Sequence, residues 1–476
     1  MSQRPSTWGA LSAHGTPARS VKQEIAANAA DRLARGGELV EGLVGFGDTV
    51  LPALETAVLA GHDLVLLGER GQAKSRVLRG LAGLLDDAVP AVDGGVLNDH
   101  PGLPVSPEAR AIVAERGDDT PLRWLTPHER YAEKLATPDI AVADLIGDVD
   151  PIKVAEGRHL DDPGTIHYGL VPRHNRGIVT INELPDLAER IQVALLNIME
   201  ERDVQVRGYA LRLPLDLLVV ATANPEDYTN RGRIITPLKD RFRAEIRTHY
   251  PRELADEIAI MRAEANPVGG DGQGHGGWLP SVVVPDYLAE VAAAMTRTLR
   301  TSPEVNHHSG VSVRFSVAAY ETLAASALRR AVRGGEPQAV ARCTDLAAVI
   351  SGGMGKIEVD DVEQGRESEL LEQATQRAVL EVFRRRAGDL DLSGLVAAFA
   401  DGRVVETGDL VTAKALLDQL DAVPGLGSLL AALGVDGENP GLAASGLELA
   451  LEGLHLTRQL DRTQLDDGSR ARFQVG

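Results

Sequence analysis

The feature that most constrains this chain is a short apolar run, Asp63-Leu-Val-Leu-Leu67, that opens directly into Gly68, Glu69, Arg70, Gly71, Gln72, Ala73, Lys74 and Ser75. Four aliphatic residues with no polar interruption suit a strand covered on both faces, as in a parallel sheet. Residues 74–85 then carry helical periodicity. The turn between them must pass from strand to helix and leaves the first N–H groups of the helix pointing outward. The alternation recurs. Residues 177–181 are a second apolar run followed by a predicted helix over 187–201, and 217–222 are a third, running into Asn224-Pro225. Three buried strands alternating with helices predict an α/β domain with a mainly parallel sheet. Residues 204–207 and 210–213 alternate around Gly208-Tyr209 and read as a hairpin.

The rest of the chain divides around this core. Residues 1–36 read as a mobile tail and an Ala-rich helix (21–35) stopped by Gly36-Gly37. Residues 37–265 form the α/β core, with a further helix over 51–60. The stretch 86–176 is too long for a bare loop and should contain strands or short helices. The Gly-rich 266–280 reads as a linker, and 280–386 as a small domain that is helical throughout. Residues 387–476 are Leu- and Ala-rich but acidic, suggesting a few short helices.

At 476 residues with 43% hydrophobic content, two to four domains are expected. A net charge of −20 argues against a surface built for nucleic-acid phosphates, and 3% aromatic content argues against a base-stacking platform. The single cysteine, Cys343, excludes an intrachain disulfide and fits a reducing cytosol. No apolar run reaches bilayer-spanning length, and the first 19 residues lack the hydrophobic block of a secretory signal, so a soluble cytoplasmic protein is expected.

The chemistry starts from the spacing G-x-x-x-x-[G]-K-[S/T], with Ala73 in the last glycine position. Backbone N–H groups of such a loop surround a β-phosphate; Lys74 would reach the β- and γ-phosphates, and Ser75 would ligate Mg²⁺. The methyl of Ala73 is expected to be tolerated in a helix-start conformation. Hydrolysis needs a carboxylate to act on water, and Asn182-Glu183 ends the second apolar strand where one belongs. The usual pair there is Asp-Glu. Asn182 offers an amide to a metal-bound water with less field on the cation, while Glu183 keeps the catalytic carboxylate. Asn224, ending the third strand, is placed to touch the γ-phosphate or the attacking water, although Asn-Pro is also an ordinary turn starter. Arg241 and Arg314 are candidates to neutralise phosphate charge; an arginine taken alone is more often a solvated surface residue.

Taken in order, these motifs resemble the AAA+ ATPases of the magnesium-chelatase I-subunit and MoxR group, over roughly 43–386. The resemblance is carried by Leu43-Val-Gly-Phe-Gly47, the loop at 68–75, Asp144-Leu-Ile-Gly-Asp-Val-Asp150 and Tyr168-Gly-Leu-Val-Pro-Arg-His-Asn-Arg-Gly177. Ala223-Asn-Pro-Glu226, Thr236-Pro-Leu-Lys-Asp-Arg-Phe242, residues 311–315 and Ile357-Glu-Val-Asp-Asp-Val362 complete it. It implies a P-loop AAA+ core, a helical lid and a helical C-terminal extension, with ATP and Mg²⁺ as cofactors. It makes Asn224 sensor 1, Arg314 the sensor 2 arginine of the lid, and Arg241 a finger reaching the neighbouring subunit's nucleotide. The hairpin around Gly208 would face the ring's pore or a partner. It further implies a homo-oligomeric ring, usually a hexamer, and a partner bearing a von Willebrand factor A domain. Three departures stand out: Ala73, which the MoxR branch shares; Asn182; and the extension after Gly388, which has no counterpart in the resemblance. The leading expectation is a motor or chaperone that remodels a partner. A metal-chelatase ATPase subunit acting on a tetrapyrrole is the second. Residues 307–308, an adjacent His pair, lack metal-ligand spacing, so chelation would fall to another subunit. A transcription activator is disfavoured by the absence of a GAFTGA loop and a helix-turn-helix. A non-hydrolysing scaffold is favoured by Asn182 and disfavoured by Lys74, Glu183, Asn224 and Arg314.

Overall fold

The computed structural model describes residues 4–13, 15, 18–150, 152, 155, 165–200, 203–206, 209–225, 234–268, 279–305, 311–357, 366–399, 402–420, 425–465 and 470–475. The chain divides into two compact units, Met1–His249 and Tyr250–Gly476.

In the first unit, β1 (Leu64–Leu67), β2 (Tyr131–Leu135), β3 (Gly177–Asn182), β4 (Leu217–Ala223) and β5 (Ala244–Arg247) form one sheet in the order β5-β1-β4-β3-β2. Each of these pairings is parallel. The inner strands are the three apolar runs of the sequence, and every residue of β1 and β4 is buried. Alternate side chains feed two cores, because successive residues of a strand point to opposite faces. Leu64, Leu66, Ile178, Leu218 and Val220 pack on one face against α1 (Val21–Ala34), α2 (Val50–Leu59) and α3 (Lys74–Leu81). Val65, Leu67, Val179, Ile181, Val219 and Ala221 pack on the other, with Ile191, Leu195 and Ile198 of α4 (Glu189–Glu200). A mainly parallel α/β sheet is what the sequence predicts. Its two edge strands escaped that reading because each has one poorly covered face. β5 buries only Ile246, and β2 buries only Ala132.

The helix over 21–34 is part of the sheet's cover. Ser20 and Gln23 form its capping box, worth about 1 kcal/mol. Val21, Ile25 and Ala29 are buried, and burying an aliphatic such as Ile25 contributes about 1.5–3 kcal/mol. A buried, two-pronged ion pair, Glu24 with Arg130 at 2.7 Å, clamps the helix to the start of β2. The long 86–176 connection contains β2, a helix at Pro107–Arg116, and two antiparallel pairs. These are Val89–Val92 with Leu122–Leu125, and Gly147–Val149 with Ile166–Tyr168. The predicted hairpin is present as Asp203–Val206 paired with Tyr209–Arg212; Gly208 lies outside the described residues.

The second unit begins with α5 (Leu254–Glu264), ahead of the expected linker, most of which (269–278) lies outside the described residues. α6 (Asp286–Arg300), α7 (Val313–Gly334), α8 (Leu346–Gly353) and α9 (Arg366–Ala387) follow. The sequence showed no sign of the short parallel pair Ser281–Val283 with Gln338–Val340. The stretch after 387 is not a separate tail. α10 (Pro440–Leu456) inserts Leu447, Leu451 and Leu454 into the same core as Tyr287, Phe315, Leu371 and Phe383. Besides its helices, this stretch forms a three-stranded antiparallel sheet of Val405–Gly408, Arg470–Gln474 and Asp461–Leu465. Buried polar groups tie α10 down. Tyr287 donates to Ser445 Oγ, which donates to the Ala341 carbonyl, both at 2.6 Å. Arg342 and Glu448, at 0% and 1% exposure, form an ion pair at 3.5 Å, and Thr344 N donates to Glu448 Oε2.

Candidate active site

Strand register sets the site. Leu67 lies opposite Ala223, Ile181 opposite Ala221, and Asn182 opposite Leu135. The residues that follow β1, β3 and β4 therefore stand side by side at the carboxyl ends of the strands, where open α/β sheets bind ligands.

The loop after β1 is shaped by close packing. Gly68 N donates to Ala223 O at 3.2 Å, and a Cβ added to Gly68 would stand 1.9 Å from Thr248 Oγ1 and 2.3 Å from Gln72 Oε1. Gln72 is buried inside the loop it belongs to. Its Oε1 accepts from Glu69 N at 3.0 Å and from Thr248 Oγ1 at 2.9 Å. Gly71 has φ 77°. Ala73 corrects the expectation of a helix-start conformation. It caps α3 in the left-handed region, φ 56° and ψ 13°, without a side-chain cap bond. The glycine-like backbone is retained, at a strain of about 1–2 kcal/mol for the methyl.

Lys74 is 7% exposed. Its Nζ donates to the carbonyls of Gly68 and Glu69 (3.0 Å for the latter) and to Asn224 Oδ1 at 2.9 Å. Asn224 Nδ2 in turn donates to Glu183 Oε2 at 3.0 Å. One polar chain thus joins the three strand ends. Glu183 is the second residue here in the left-handed region, φ 56° and ψ 49°. Its N–H donates to Thr222 Oγ1 at 3.0 Å, which holds the backbone where β3 stops and turns into Leu184–Asp186. Such conformations persist only where surroundings over-determine them, and they cluster at functional sites.

Asn182 is half-buried. Its Nδ2 donates to Glu133 Oε1 at 2.8 Å. Glu133, from β2, also accepts two bonds from Arg79 of α3, at 2.9 and 3.1 Å. The Arg79 guanidinium holds the Glu133 carboxyl below the ordinary carboxylate range. Ser75 lies half-buried in the first turn of α3.

Arg241 is held elsewhere in the first unit. Arg241 ends the short helix Thr236–Arg241 and pairs with Glu200 at the end of α4, the two side chains 40% and 38% exposed. Arg314 is exposed at the second position of α7, in the second unit. Glu226, the His pair 307–308 and residues 358–362 lie outside the described residues. Sequence reasoning missed Glu133, Arg79, Thr222 and Thr248. The alternation Tyr131-Ala-Glu-Lys-Leu135 was a signal for the first, since it marks an edge strand with one polar face.

Residues 130–244 match the model of the "ATPase family associated with various cellular activities (AAA)", a span that includes β2, β3 and β4. The chain contains an AAA+ ATPase domain. The chain is similar to Chaperone MoxR1 of Mycobacterium tuberculosis, 30% identical over 131 residues, covering 28% of this chain and 32% of that protein. An uncharacterized protein of Bacillus subtilis, YeaC, is 26% identical over 177 residues, 36% of this chain and 48% of its own. The chain thus spans less than half the length of these curated relatives. Among solved structures, one chain of a BchI–BchD magnesium chelatase complex overlaps 69% of this chain and 96% of its own at 20% identity and TM-score 0.35. NtrX from Brucella abortus in complex with ATP overlaps 83% and 72% at 13% identity and TM-score 0.39. Neither overlap bears on the assignment. Among the described residues, no helix of the chain is long and apolar enough to cross a membrane.

Proposed function

We propose that the AAA+ domain binds ATP at 68–75 and hydrolyses it with Glu183 as the group that acts on water, and that the resulting motion remodels a partner protein. The polar chain Lys74–Asn224–Glu183 carries this reading. It supplies an ammonium for phosphate oxygens, an amide between loop and carboxylate, and a carboxylate one bond further on. The loop fits a triphosphate. Gly68 has no room for a side chain, Gly71 and Ala73 turn the backbone, and the N-terminus of α3 adds its dipole. Ser75 and Asn182 are the residues to hold Mg²⁺, which when bound screens phosphate charge.

In this scheme Lys74 binds and orients the β- and γ-phosphoryl groups. Asn224 sits between Lys74 and Glu183 and fixes the distance between phosphate and base. Glu183 accepts hydrogen bonding from a water and takes up its proton as attack proceeds. Arg241 acts on the nucleotide of a neighbouring copy in a ring, and Arg314 closes from the lid. The similarity to Chaperone MoxR1 of Mycobacterium tuberculosis supports chaperone work. A protein with a von Willebrand factor A domain is the first partner to test.

Steady-state phosphate release by wild type and Glu183→Gln, across concentrations that permit assembly, tests the proposal. Loss of about a hundredfold or more is expected in the variant, the scale of a missing general base. A wild type no faster than the variant sinks the motor. Arg241→Ala is expected to hydrolyse about a thousandfold more slowly while still binding ATP, the scale of a missing arginine finger. Mixing it with Lys74→Ala should recover activity. No recovery at any ratio counts against action in trans.

A further inference from the structure

Asn182 stands where the resemblance expects an acid, and the adjacent strand brings one to it. We infer that Glu133 is a positioning residue for the divalent-cation site: it locks the Asn182 amide with its nitrogen toward β2 and its oxygen toward the nucleotide side. This rests on the proposed ATP site.

The argument begins with the asymmetry of an amide. Asn182 can present either a carbonyl oxygen, which attracts a cation or its bound water, or an NH₂, which repels one. The two orientations differ by a flip of the side chain, and only the neighbours decide between them. An ionised carboxylate accepts and cannot donate, so Glu133 Oε1 at 2.8 Å admits only the nitrogen. The hydroxyl of Thr222, 3.5 Å from Asn182 Oδ1, stands at the other end.

Glu133 is itself held in place. Arg79 binds it with two guanidinium bonds, and Tyr131 OH donates to its Oε2 at 3.3 Å. The register places Glu133 opposite Thr180, two residues before Asn182, and the side chain reaches forward along the strand. Arg79 lies four residues after Ser75 on α3, hence on the same helix face. The Ser75 face of the helix and the Asn182 tip of β3 are therefore joined through one carboxylate. An oriented outer-shell acceptor of this kind typically sets metal affinity by 10–100-fold. It also keeps a negative charge behind the amide, where the usual acid would have carried it directly.

The test is the gain in affinity of a fluorescent ATP analogue when Mg²⁺ replaces EDTA, measured at equilibrium with the full chain. Glu133→Gln, which can turn its own NH₂ toward Asn182, is expected to reduce that gain about tenfold. Adding Asn182→Asp to this variant should restore it, because a carboxylate needs no orientation. A merely structural Glu133 would shift the unfolding temperature equally with and without Mg²⁺ and leave the gain at the wild-type value; that result overturns the inference. Should Glu133→Gln fail to fold, Glu133→Asp keeps the charge and withdraws the acceptor by one methylene. The same drop is expected, and a wild-type gain again overturns the idea. If wild type binds no nucleotide in either condition, the ATP site falls and the inference with it. Nucleotide binding with an unaltered Mg²⁺ gain in the variants removes the inference alone.

Discussion

Polar and ionisable side chains are drawn away from solvent both in the core of the second unit and at the strand ends of the first, but their surroundings differ. In the second unit Arg342, Asp345 and Glu448 are at most 1% exposed and are met by groups from their own core, and burial pushes the Glu448 carboxyl up. In the first unit Asn182, Glu183 and Asn224 are half-buried at the carboxyl ends of strands and bond to one another's neighbours while keeping partial exposure. A buried polar group serves the structure when its neighbours enclose it. It reads as function when they orient it toward an open side.

The largest expected effect breaks the enclosed network. Arg342→Met leaves Glu448 buried without its cation and should cost about 3–5 kcal/mol in urea unfolding. Adding Glu448→Leu should recover much of it, since a well-packed apolar pair replaces a costly ionic one. Lys74→Met is the counterpart at the open site. It should abolish nucleotide binding and leave unfolding far less affected than Arg342→Met does. Equal destabilisation by the two would erase the contrast.

Acidification should sharpen it, because the units respond with opposite sign. Burial, reinforced by Arg176, lowers the His100 pKa from 6.5 to about 4. The unfolded chain then binds the proton more readily, so this contribution is intact above 6.5 and is lost as pH falls toward 4. A loss of about 1–2 kcal/mol is expected after allowing for solvent around the half-buried ring. Burial raises the Glu452 carboxyl from 4.5 to about 6, so the second unit gains stability as pH falls through 6 toward 4.5. Hydrogen exchange resolved by unit at pH 7 and pH 5 checks both. His100→Gln and Glu452→Gln should each flatten the response of their own unit only.

Two smaller effects concern the site. Ala73→Gly removes the left-handed strain and should stabilise the first unit by about 0.5–1 kcal/mol, the strain relieved less the added freedom of the unfolded glycine. Differential calorimetry reads it, and a destabilised variant would show that the methyl packs usefully. Glu200→Gln, which releases Arg241 from an exposed pair, should change stability by less than about 0.5 kcal/mol. A pair that weak leaves Arg241 able to turn away, as its proposed action on a neighbouring copy requires. A large change in urea midpoint would mean the pair is structural instead.

Much of the first unit was legible in the chain itself. The inner strands β1, β3 and β4 are covered on both faces, so burial wrote them as nearly continuous apolar runs. The loop at 68–75, Asn182, Glu183 and Asn224 could be read because each lies next to one of those runs. β2 and β5 could not be read that way. One-sided strands mix polar and apolar residues, and in a stretch of Pro, Gly and charge such mixing resembles a loop. The fate of 387–476 was hidden for a related reason. An Ala- and Leu-rich helix shows an apolar face without showing which core receives it, and α10 proved to complete the core of α6, α7 and α9.

By itself, then, the order of residues determined the kind of sheet, the glycine-containing strand-to-helix loop at 68–75 and the identity of the groups at the strand ends, since these depend on local pattern and immediate neighbours. Only the tertiary structure decided that Ala73 keeps a glycine's backbone, that Lys74, Asn224 and Glu183 form one chain, and that Glu133 faces Asn182. Those facts depend on the register of strands distant in sequence, and register is set by how whole faces pack.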